Sequence, residues 1–393
     1  MYKRIVTIVI DSVGVGALKD ANLFGDDNPN TLGNIAKNTP NFKIDNLCKL
    51  GVNKVIKLDN VNNDLEVIGS YGKMEEISNG KDTMTGHFEI MGLKVEKPFM
   101  TFTETGFPKE LVDQLEAETG YKFIGNISAS GTEIIKDLGE RHMQTKELIL
   151  YTSADSVLQI AANEDLIGLD ELYRVCEIAR KITLKPEWQV GRVIARPFVG
   201  TNKDNFTRTP NRHDYALKPF DKTVLNFLKD QNYDVISVGK INDIYDGEGI
   251  TEKYKIKSNE HGMDITIDLM KKDFNGLLFV NLVDFDALYG HRRDVTGYAK
   301  CLEEFDSQLG QLMGILNDDD LLIVTADHGN DPTHKGTDHT REYVPLLIYN
   351  KNLEPTNLGI RKTFADIGFT ISKNFDCKLP NIGKDILEEI ARK

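Results

Sequence analysis

The sequence predicts an α/β protein whose core is a doubly wound, mostly parallel sheet with an inserted α+β cap domain. Three apolar runs, at residues 4–11, 277–286 and 321–327, predict the sheet because they are rich in β-branched residues and lack polar alternation. Helix-like spacing between such runs indicates parallel strands joined by helices. The runs reach aspartates at their carboxyl ends: Asp11, Asp286 and Asp327.

Further elements of the core follow the same alternation of strand and helix. Residues 235–239 and 345–349 are two more apolar runs of strand length. Residues 303–316 space their apolar side chains as one helix face does, and residues 220–228 give a second, shorter helix pattern. We therefore expect strand, helix and strand to repeat through the second half of the chain.

The middle of the chain is predicted to form a separate domain inserted into the sheet domain. It carries its own helix patterns at residues 109–119 and 170–181 and its own apolar strand at residues 148–152. Glu-Lys-Pro and Leu-Lys-Pro sequences flank it as turn-like boundaries. The predicted division is a core domain at residues 1–97 and 217–393, with the cap domain at residues 98–216.

Composition and charge restrict the class of partner. The net charge of -13 argues against a nucleic acid or an anionic membrane as partner, because the chain has no general positive field. No apolar run is long enough to span a bilayer. The N-terminal apolar run is interrupted by Asp11, and no small-residue cleavage site follows it. Four widely spaced cysteines without a Cys-x-x-Cys pair indicate a reducing, cytoplasmic location. We expect no obligate protein partner.

The carboxyl edge of the predicted sheet gathers the residues that carry chemistry. Ligands of open α/β sheets bind at this edge, so the three aspartates should meet there. Histidines follow them closely in sequence. Carboxylates with imidazoles and no thiolate suit Mn²⁺ or Zn²⁺ better than Mg²⁺. Asp-His-Gly-Asn at 327–330 alone could be a turn with a structural histidine, but the combination predicts a site for two divalent cations. The histidines are His291, His328 and His339.

Such a site needs a nucleophile, and residues 79–87 offer one. Gly80 interrupts the chain, and Asp82 or Thr83 would cap a helix that continues beyond His87. A hydroxyl at a helix N-terminus is placed where phosphate binds, and a metal would lower its pKa. The alternative is that Thr83 and Thr85 are ordinary capping residues.

Two further patterns bear on the ligand. Gly14 and Gly16 hint at a dinucleotide-binding loop, but position 19 is Lys19 rather than the third glycine. Between residues 189 and 220, basic residues outnumber acidic ones in an otherwise acidic chain, and arginine suits bidentate phosphate recognition. The alternative for any one of these basic residues is that it is an ordinary solvated residue at the surface. They are Arg192, Arg196, Lys203, Arg208, Arg212 and Lys218.

Over essentially its whole length the sequence resembles the phosphopentomutases, a branch of the alkaline phosphatase superfamily. The resemblance implies an alkaline phosphatase-like core, and no chemical position departs from the family pattern. The motifs are residues 9–14 (VIDSVG), 80–87 (GKDTMTGH), 151–156 (YTSADS), 190–197 (VGRVIARP), 207–214 (TRTPNRHD), 283–286 (VDFD) and 325–330 (TADHGN).

The resemblance implies an isomerase of pentose phosphate metabolism that interconverts (deoxy)ribose 1-phosphate and (deoxy)ribose 5-phosphate. Thr83 would be the phosphorylated nucleophile, and a pentose 1,5-bisphosphate would be the intermediate. Glucose 1,6-bisphosphate or a pentose 1,5-bisphosphate would activate the enzyme. The cap would close over the site and exclude water, so that the phosphothreonine is not hydrolysed.

The resemblance also assigns the binding residues of a dinuclear manganese site and of the sugar phosphate. One Mn²⁺ would be bound by Asp11, Asp327 and His328, and the other by Asp286, His291 and His339, with Thr83 bridging. The sugar phosphate would be held by Ser153, Asp155, Arg192, Arg208 and Lys240. The alternatives are a metal-dependent phosphatase or a phosphoglycerate-type mutase of the same superfamily, and a non-catalytic binding protein.

Overall fold

The computed structural model describes residues 1–153 and 155–392; Ala154, part of the motif at residues 151–156, lies outside the described residues. The chain forms two compact units. One comprises residues 1–98 and 219–393, and the other comprises residues 99–218. The predicted α/β class with a mostly parallel core sheet is confirmed.

Fourteen strands are found among the described residues. They are β1 (Arg4–Ile10), β2 (Ser70–Met74), β3 (Phe123–Ser128), β4 (Leu148–Thr152), β5 (Val157–Asn163), β6 (Arg192–Val199), β7 (Thr207–Arg208), β8 (His213–Ala216), β9 (Asp234–Val238), β10 (Glu252–Tyr254), β11 (Gly276–Leu282), β12 (Asp320–Thr325), β13 (Val344–Tyr349) and β14 (Asn357–Arg361).

Thirteen α-helices accompany them in the described part of the chain. They are α1 (Thr31–Lys37), α2 (Asp45–Lys49), α3 (Val52–Val55), α4 (Thr83–Ile90), α5 (Lys109–Thr119), α6 (Gly131–Thr145), α7 (Glu164–Ile167), α8 (Leu169–Ile182), α9 (Val224–Asp230), α10 (Ile241–Ile244), α11 (Asn259–Met270), α12 (Val295–Ile315) and α13 (Ala365–Asn374). Short 3-10 turns and one π-helical turn, Phe285–Gly290, complete the elements. None of these described helices is both long and apolar enough to cross a membrane.

The eight-stranded sheet of the first unit has the order β10-β9-β11-β1-β12-β13-β2-β14. Its first five strands are parallel, and every residue of β1, β11 and β12 is buried. β13 departs from the parallel pattern, because it runs antiparallel to β12. No helix lies between β12 and β13. A parallel pairing would need a crossover, so the chain returns along the sheet instead.

The register of the central strands brings their carboxyl ends together. Ile10 pairs with Leu282, and Val9 pairs with Thr325, so β1 ends level with both neighbours. Asp11 follows β1 directly. Asp327 comes two residues after β12, and the π-helical turn after β11 carries Asp286.

Two predicted helices start at different residues from those expected. The helix predicted at 303–316 is the end of α12, which begins at Val295 because the Asp294 side chain accepts a hydrogen bond from the amide of Gly297. The helix predicted at 220–228 begins only at Val224, where Thr223 and Asn226 form a capping box. Cap chemistry, rather than apolar spacing, fixes both starts.

The second unit is built on its own six-stranded sheet, ordered β3-β4-β5-β6-β7 with β8 paired to β6. Both faces carry buried apolar side chains. One cluster includes Leu115 of α5 and Val175 of α8, and the other includes Ile134 of α6. A sheet covered by helices on two faces has its own hydrophobic core.

Candidate metal centre and nucleophile

The predicted metal ligands meet at the carboxyl edge of the core sheet. Asp11, Asp327 and His328 each offer one donor atom within 4.8 Å of the other two. Asp286, His328 and His339 do the same, and all five side chains are buried. Two overlapping groups of carboxylates and imidazoles therefore share His328.

The first group contains carboxylate oxygens that the protein leaves without hydrogen bonds. Nε2 of His328 lies 3.4 Å from Oδ1 of Asp11 and 3.4 Å from Oδ2 of Asp327. These two oxygens are buried and accept no hydrogen bond within the described part of the chain. Nδ1 of His87 lies 3.2 Å from Oδ2 of Asp327, but it donates to the carbonyl of Thr83 at 2.8 Å. Buried carboxylate oxygens that accept no hydrogen bond are costly, whereas a bound cation would satisfy them. The donor set thus fits a divalent metal ion.

The second group places Asp286 between two histidines. Its Oδ2 lies 3.1 Å from Nε2 of His291, and its Oδ1 lies 3.5 Å from Nε2 of His339. The two Nε2 atoms are 3.2 Å apart. These are the three residues expected to hold the second ion, and the structure brings their donor atoms together.

Backbone hydrogen bonds orient the imidazoles toward the carboxylates. Nδ1 of His328 donates to the carbonyl of Gly329 at 2.9 Å, and Nδ1 of His291 donates to the carbonyl of Thr337 at 2.7 Å. With the Nδ1 proton held by a carbonyl, Nε2 is the nitrogen that faces the aspartates, and a bound metal would take the place of its second proton. Metal-binding histidines are commonly fixed in this way by a hydrogen bond from the other ring nitrogen.

The buried carboxylates perturb one another. Burial, together with the neighbouring carboxylates of Asp327 and Asp286, raises the pKa of Asp11 to about 7. Burial would lower the pKa of His328, but the carboxylates of Asp327 and Asp11 raise it to about 9. Burial would also raise the pKa of Asp286, yet His339 and His291 hold it well below its usual range. The cluster is a concentrated negative field that divalent cations would neutralise.

Three polar groups that the sequence interpretation did not identify support the carboxylates. Asn281 Nδ2 donates to Oδ2 of Asp11 at 2.8 Å, and Asn330 Nδ2 donates to Oδ1 of Asp286 at 2.7 Å. The amide of Ser12 donates to Oδ1 of Asp327 at 3.1 Å. Of these groups, Asn281 could have been identified from the sequence, because it is a polar residue inside an otherwise apolar strand.

Thr83 is the first residue of α4 and faces the first ligand group. The cap of this helix is Asp82, whose carboxylate accepts hydrogen bonds from the amides of Met84 at 3.0 Å and Thr85 at 3.1 Å. The hydroxyl of Thr83 lies 3.2 Å from Nε2 of His328. The N-terminus of α4 therefore brings an oxygen nucleophile to the metal ligands.

Thr85 has a different role. Its side chain is buried, and its hydroxyl donates to Oδ2 of Asp82 at 2.5 Å. This hydrogen bond completes the cap, so the second threonine of the motif is structural. The geometry separates two residues that the local sequence left as alternatives.

The predicted sugar-phosphate residues lie in both units of the chain. Lys240 follows β9 at the carboxyl edge of the core sheet. In the second unit, Nη2 of Arg192 is 3.6 Å from Oδ2 of Asp155. The carbonyl of Ser153 accepts a hydrogen bond from Thr103, and Arg208 lies in β7. Their role in substrate binding stays a prediction.

Arginines cluster on strands β6 to β8 of the second unit. Burial, with the charges of Arg212 and Arg208 nearby, lowers the pKa of Arg196 to about 10. Nε of Arg208 is buried and has no hydrogen-bond acceptor within the described residues. Asp214 lies among these guanidinium groups, and their charges hold its pKa below the usual range although burial would raise it. This surface has the chemistry of an anion-binding site.

Comparison with known proteins first defines the class. The Metalloenzyme superfamily matches residues 3–379, and the chain belongs to it. A solved structure, that of the PH0037 protein from Pyrococcus horikoshii, has the same fold with a TM-score of 0.51 and 14% identity; the match covers 96% of this chain and 98% of that one.

Within that class, the chain belongs to the phosphopentomutases. It is 59% identical over 393 residues to the phosphopentomutase of Clostridium perfringens, and the match covers 99% of both chains. It is 56% identical, with the same coverage, to the phosphopentomutase of Clostridium botulinum. The predicted family and the prediction that the chain is an enzyme, an isomerase, are confirmed.

Proposed function

We propose that this chain interconverts (deoxy)ribose 1-phosphate and (deoxy)ribose 5-phosphate in the cytoplasm, through a phosphorylated Thr83. The observation that carries the proposal is the 3.2 Å distance between the Thr83 hydroxyl and Nε2 of His328 at the shared edge of two ligand groups. The family relationship supports the pentose substrate, because the relatives at 56% and 59% identity are named phosphopentomutases.

Asp11, Asp327 and His328 would hold one Mn²⁺, and Asp286, His291 and His339 the other. When bound, two such ions neutralise charge on the transferring phosphoryl oxygens and favour the ionised form of the Thr83 hydroxyl. The chain itself supplies the orientation. The cap of α4 fixes Thr83, and the backbone carbonyls of Gly329 and Thr337 fix two of the imidazoles.

The group transfer is balanced between threonine and sugar. The phosphorus–oxygen bond to Thr83 breaks, and a new one forms to the free hydroxyl of the pentose monophosphate. The proton of that hydroxyl ends on Thr83, and a pentose 1,5-bisphosphate results. After the bisphosphate has reoriented, its other phosphoryl group returns to Thr83 and the isomeric monophosphate leaves. Glucose 1,6-bisphosphate or a pentose 1,5-bisphosphate would phosphorylate the enzyme initially.

We assign recognition of the sugar phosphate to Ser153, Asp155, Arg192 and Arg208 of the cap domain, residues 98–216, together with Lys240. Arginine binds phosphate through paired N–H groups, and the cluster of partly buried guanidinium groups supports this assignment. Sugar hydroxyls are suitable partners for Asp155 and Ser153.

The test is phosphorus NMR of purified enzyme with Mn²⁺, ribose 5-phosphate and a catalytic amount of glucose 1,6-bisphosphate. We expect ribose 1-phosphate to accumulate with negligible inorganic phosphate, because a mutase transfers the phosphoryl group to sugar rather than to water. Release of phosphate without isomerisation would contradict the proposal and assign the site to a phosphatase. Activity on phosphoglycerate alone would assign it to a phosphoglycerate-type mutase.

A further inference from the structure

Arg341 is a buried arginine two residues beyond the predicted ligand His339, and its side chain reaches the segment that precedes Thr83. Nη1 donates to the carbonyl of Gly80 at 2.6 Å and to the carbonyl of Ser78 at 2.9 Å. The same nitrogen donates to Oε2 of Glu76 at 2.6 Å. One guanidinium group thus forms hydrogen bonds with three residues of the connection between β2 and α4, which ends at Thr83.

The other side of the guanidinium group is attached to a second loop. Nε donates to Oδ1 of Asp20 at 3.2 Å, and Nη2 donates to Oδ2 of the same carboxylate at 3.0 Å. The planar group also lies 4.6 Å from the centroid of the Phe24 ring. Arg341 is only 3% exposed, so water does not replace these contacts.

Lys81 makes a parallel connection between the same three segments. Its Nζ lies 3.0 Å from Oδ1 of Asp26 and 3.1 Å from Oδ2 of Asp338, the residue before His339. Oδ2 of Asp26 in turn accepts a hydrogen bond from the amide of Arg341 at 2.7 Å. The loop that carries the nucleophile and the segment that carries His339 are therefore joined twice.

These contacts are specific to arginine. A guanidinium group presents five N–H donors in a fixed plane, and here they reach two carboxylates and backbone carbonyls at once. A lysine would keep the charge, but its single nitrogen cannot reach acceptors on both sides. The carbonyl of Gly80 would then be left buried without its donor, and the segment would lose its fixed position.

We propose that Arg341 is a positioning residue, which sets the distance between the Thr83 hydroxyl and the metal ligands by tying residues 76–80 to the His339 segment. This inference rests on the proposed function, because it takes Thr83 to be the nucleophile. It predicts that Arg341 acts on the rate of phosphoryl transfer to and from Thr83. Binding of the sugar phosphate and of the metals should not depend on it.

The experiment compares Arg341→Lys with Arg4→Lys, a matched control. Arg4 is also buried, forms a two-pronged ion pair with Asp320 and donates to two backbone carbonyls. It begins β1, about 20 Å of strand away from Asp11. Asp20→Asn is a second, milder variant, because its side chain is 40% exposed and asparagine keeps one oxygen that can accept a hydrogen bond from Arg341. Each protein is mixed with Mn²⁺ and glucose 1,6-bisphosphate, and phosphorylation of Thr83 is followed by intact-protein mass spectrometry.

For Arg341→Lys we expect Thr83 phosphorylation and kcat to fall by about 10- to 100-fold, the loss expected for a nucleophile displaced by about 1 Å. KM and bound metal should stay at the wild-type values, and amide hydrogen exchange in residues 76–83 should become faster. Asp20→Asn should show a smaller change of the same kind, and Arg4→Lys should show none.

The inference is overturned if Thr83 is phosphorylated at the wild-type rate in Arg341→Lys. It is also overturned if the rate of Thr83 phosphorylation falls as much in Arg4→Lys as in Arg341→Lys. If Arg341→Lys does not fold, wild-type phosphorylation in Asp20→Asn overturns it instead. A wild-type enzyme that turns over without phosphorylation of Thr83 would overturn the proposed function as well, so the two failures are told apart.

Discussion

The hydroxyl of Thr83 lies 3.2 Å from Nε2 of His328, while the hydroxyl of Thr85 is held by Asp82 at 2.5 Å. Two threonines on the same first turn of α4 thus have separate partners. One faces the predicted metal ligands, and the other closes the helix cap.

Replacing Thr83 with alanine should abolish turnover and leave the metals bound. We expect kcat to fall by a factor on the order of 10⁴ or more, as for removal of other covalent nucleophiles. The six predicted metal ligands remain in this variant, so bound metal should be unchanged. Thr83→Ser should recover part of the activity, because it restores a hydroxyl. Pentose phosphate isomerisation and metal content measure the two effects.

Thr85→Ser provides the matched control, since serine keeps the hydrogen bond to Asp82. It should retain most of the activity, and the phosphorylated peptide should still carry its phosphate on Thr83. Mapping of the phosphate to position 85 in the wild-type enzyme would reverse the assignment of the two residues.

Asn281 and Asn330 should each strengthen the binding of Mn²⁺ at one of the two predicted metal sites. Asn281 donates to Asp11 of the first ligand group, and Asn330 donates to Asp286 of the second. Loss of such a supporting hydrogen bond typically costs about 10- to 100-fold in metal affinity. Asn281→Ala and Asn330→Ala should therefore weaken different Mn²⁺ binding events in calorimetric titrations.

Asn163 is a suitable control for that comparison. It is buried, and its side-chain amide donates to the carbonyl of Gly200 in the second unit. Asn163→Ala should lower stability without changing either Mn²⁺ affinity. Equal weakening of both binding events in all three variants would mean that the asparagines act through stability alone.

The pH dependence of stability should carry a contribution from Asp306, which lies on α12 away from the metal ligands. Burial raises its pKa from 3.8 to about 6. A raised carboxyl pKa means that the folded state binds the proton more tightly than the unfolded state. The contribution of Asp306 to the free energy of unfolding is therefore fully present below about pH 4 and is lost as the pH rises through 6. Its loss lowers the free energy of unfolding by about 3 kcal/mol.

Urea unfolding of the wild type and of Asp306→Asn at several pH values measures this contribution. The variant cannot titrate at position 306, so the unfolding free energy of the wild type should fall relative to it between pH 4 and 6. A constant difference across this range would show that the pKa of Asp306 is the same in both states.

Much of the site followed from the sequence because three strands buried on both faces lead to its aspartates. Uninterrupted apolar residues predict β1 and β12, and parallel pairing then places Asp11 and Asp327 at one edge. Asp286 was predicted at the end of the apolar run at residues 277–286, but β11 already ends at Leu282 and Asp286 lies in the π-helical turn that follows. Turns of this kind leave no regular spacing in the sequence.

Other features depend on contacts between distant segments. β2 was not predicted, because its five residues include a glycine and only a weak apolar alternation. The antiparallel direction of β13 depends on how residues 326–343 fold back, not on the apolar residues of the strand itself. Arg341 joins segments more than 250 residues apart in sequence, and nothing in its neighbours indicates those partners.

The arginine cluster of the second unit gives the last prediction, which concerns substrate affinity. Nε of Arg208 is buried and makes no hydrogen bond among the described residues, whereas the side chain as a whole is only partly buried. A phosphate that contacts the accessible part of the guanidinium group would form charge-assisted hydrogen bonds with it. Replacing Arg208 with methionine should therefore raise KM for ribose 5-phosphate by about 10- to 100-fold, the worth of a hydrogen bond to a charged group. Arg141→Met is the control, because Arg141 is 57% exposed and its side chain forms a surface ion pair with Glu147. Steady-state kinetics should show the change in Arg208→Met alone, with Mn²⁺ binding unaltered. An unchanged KM in Arg208→Met would show that Arg208 is not part of the substrate site.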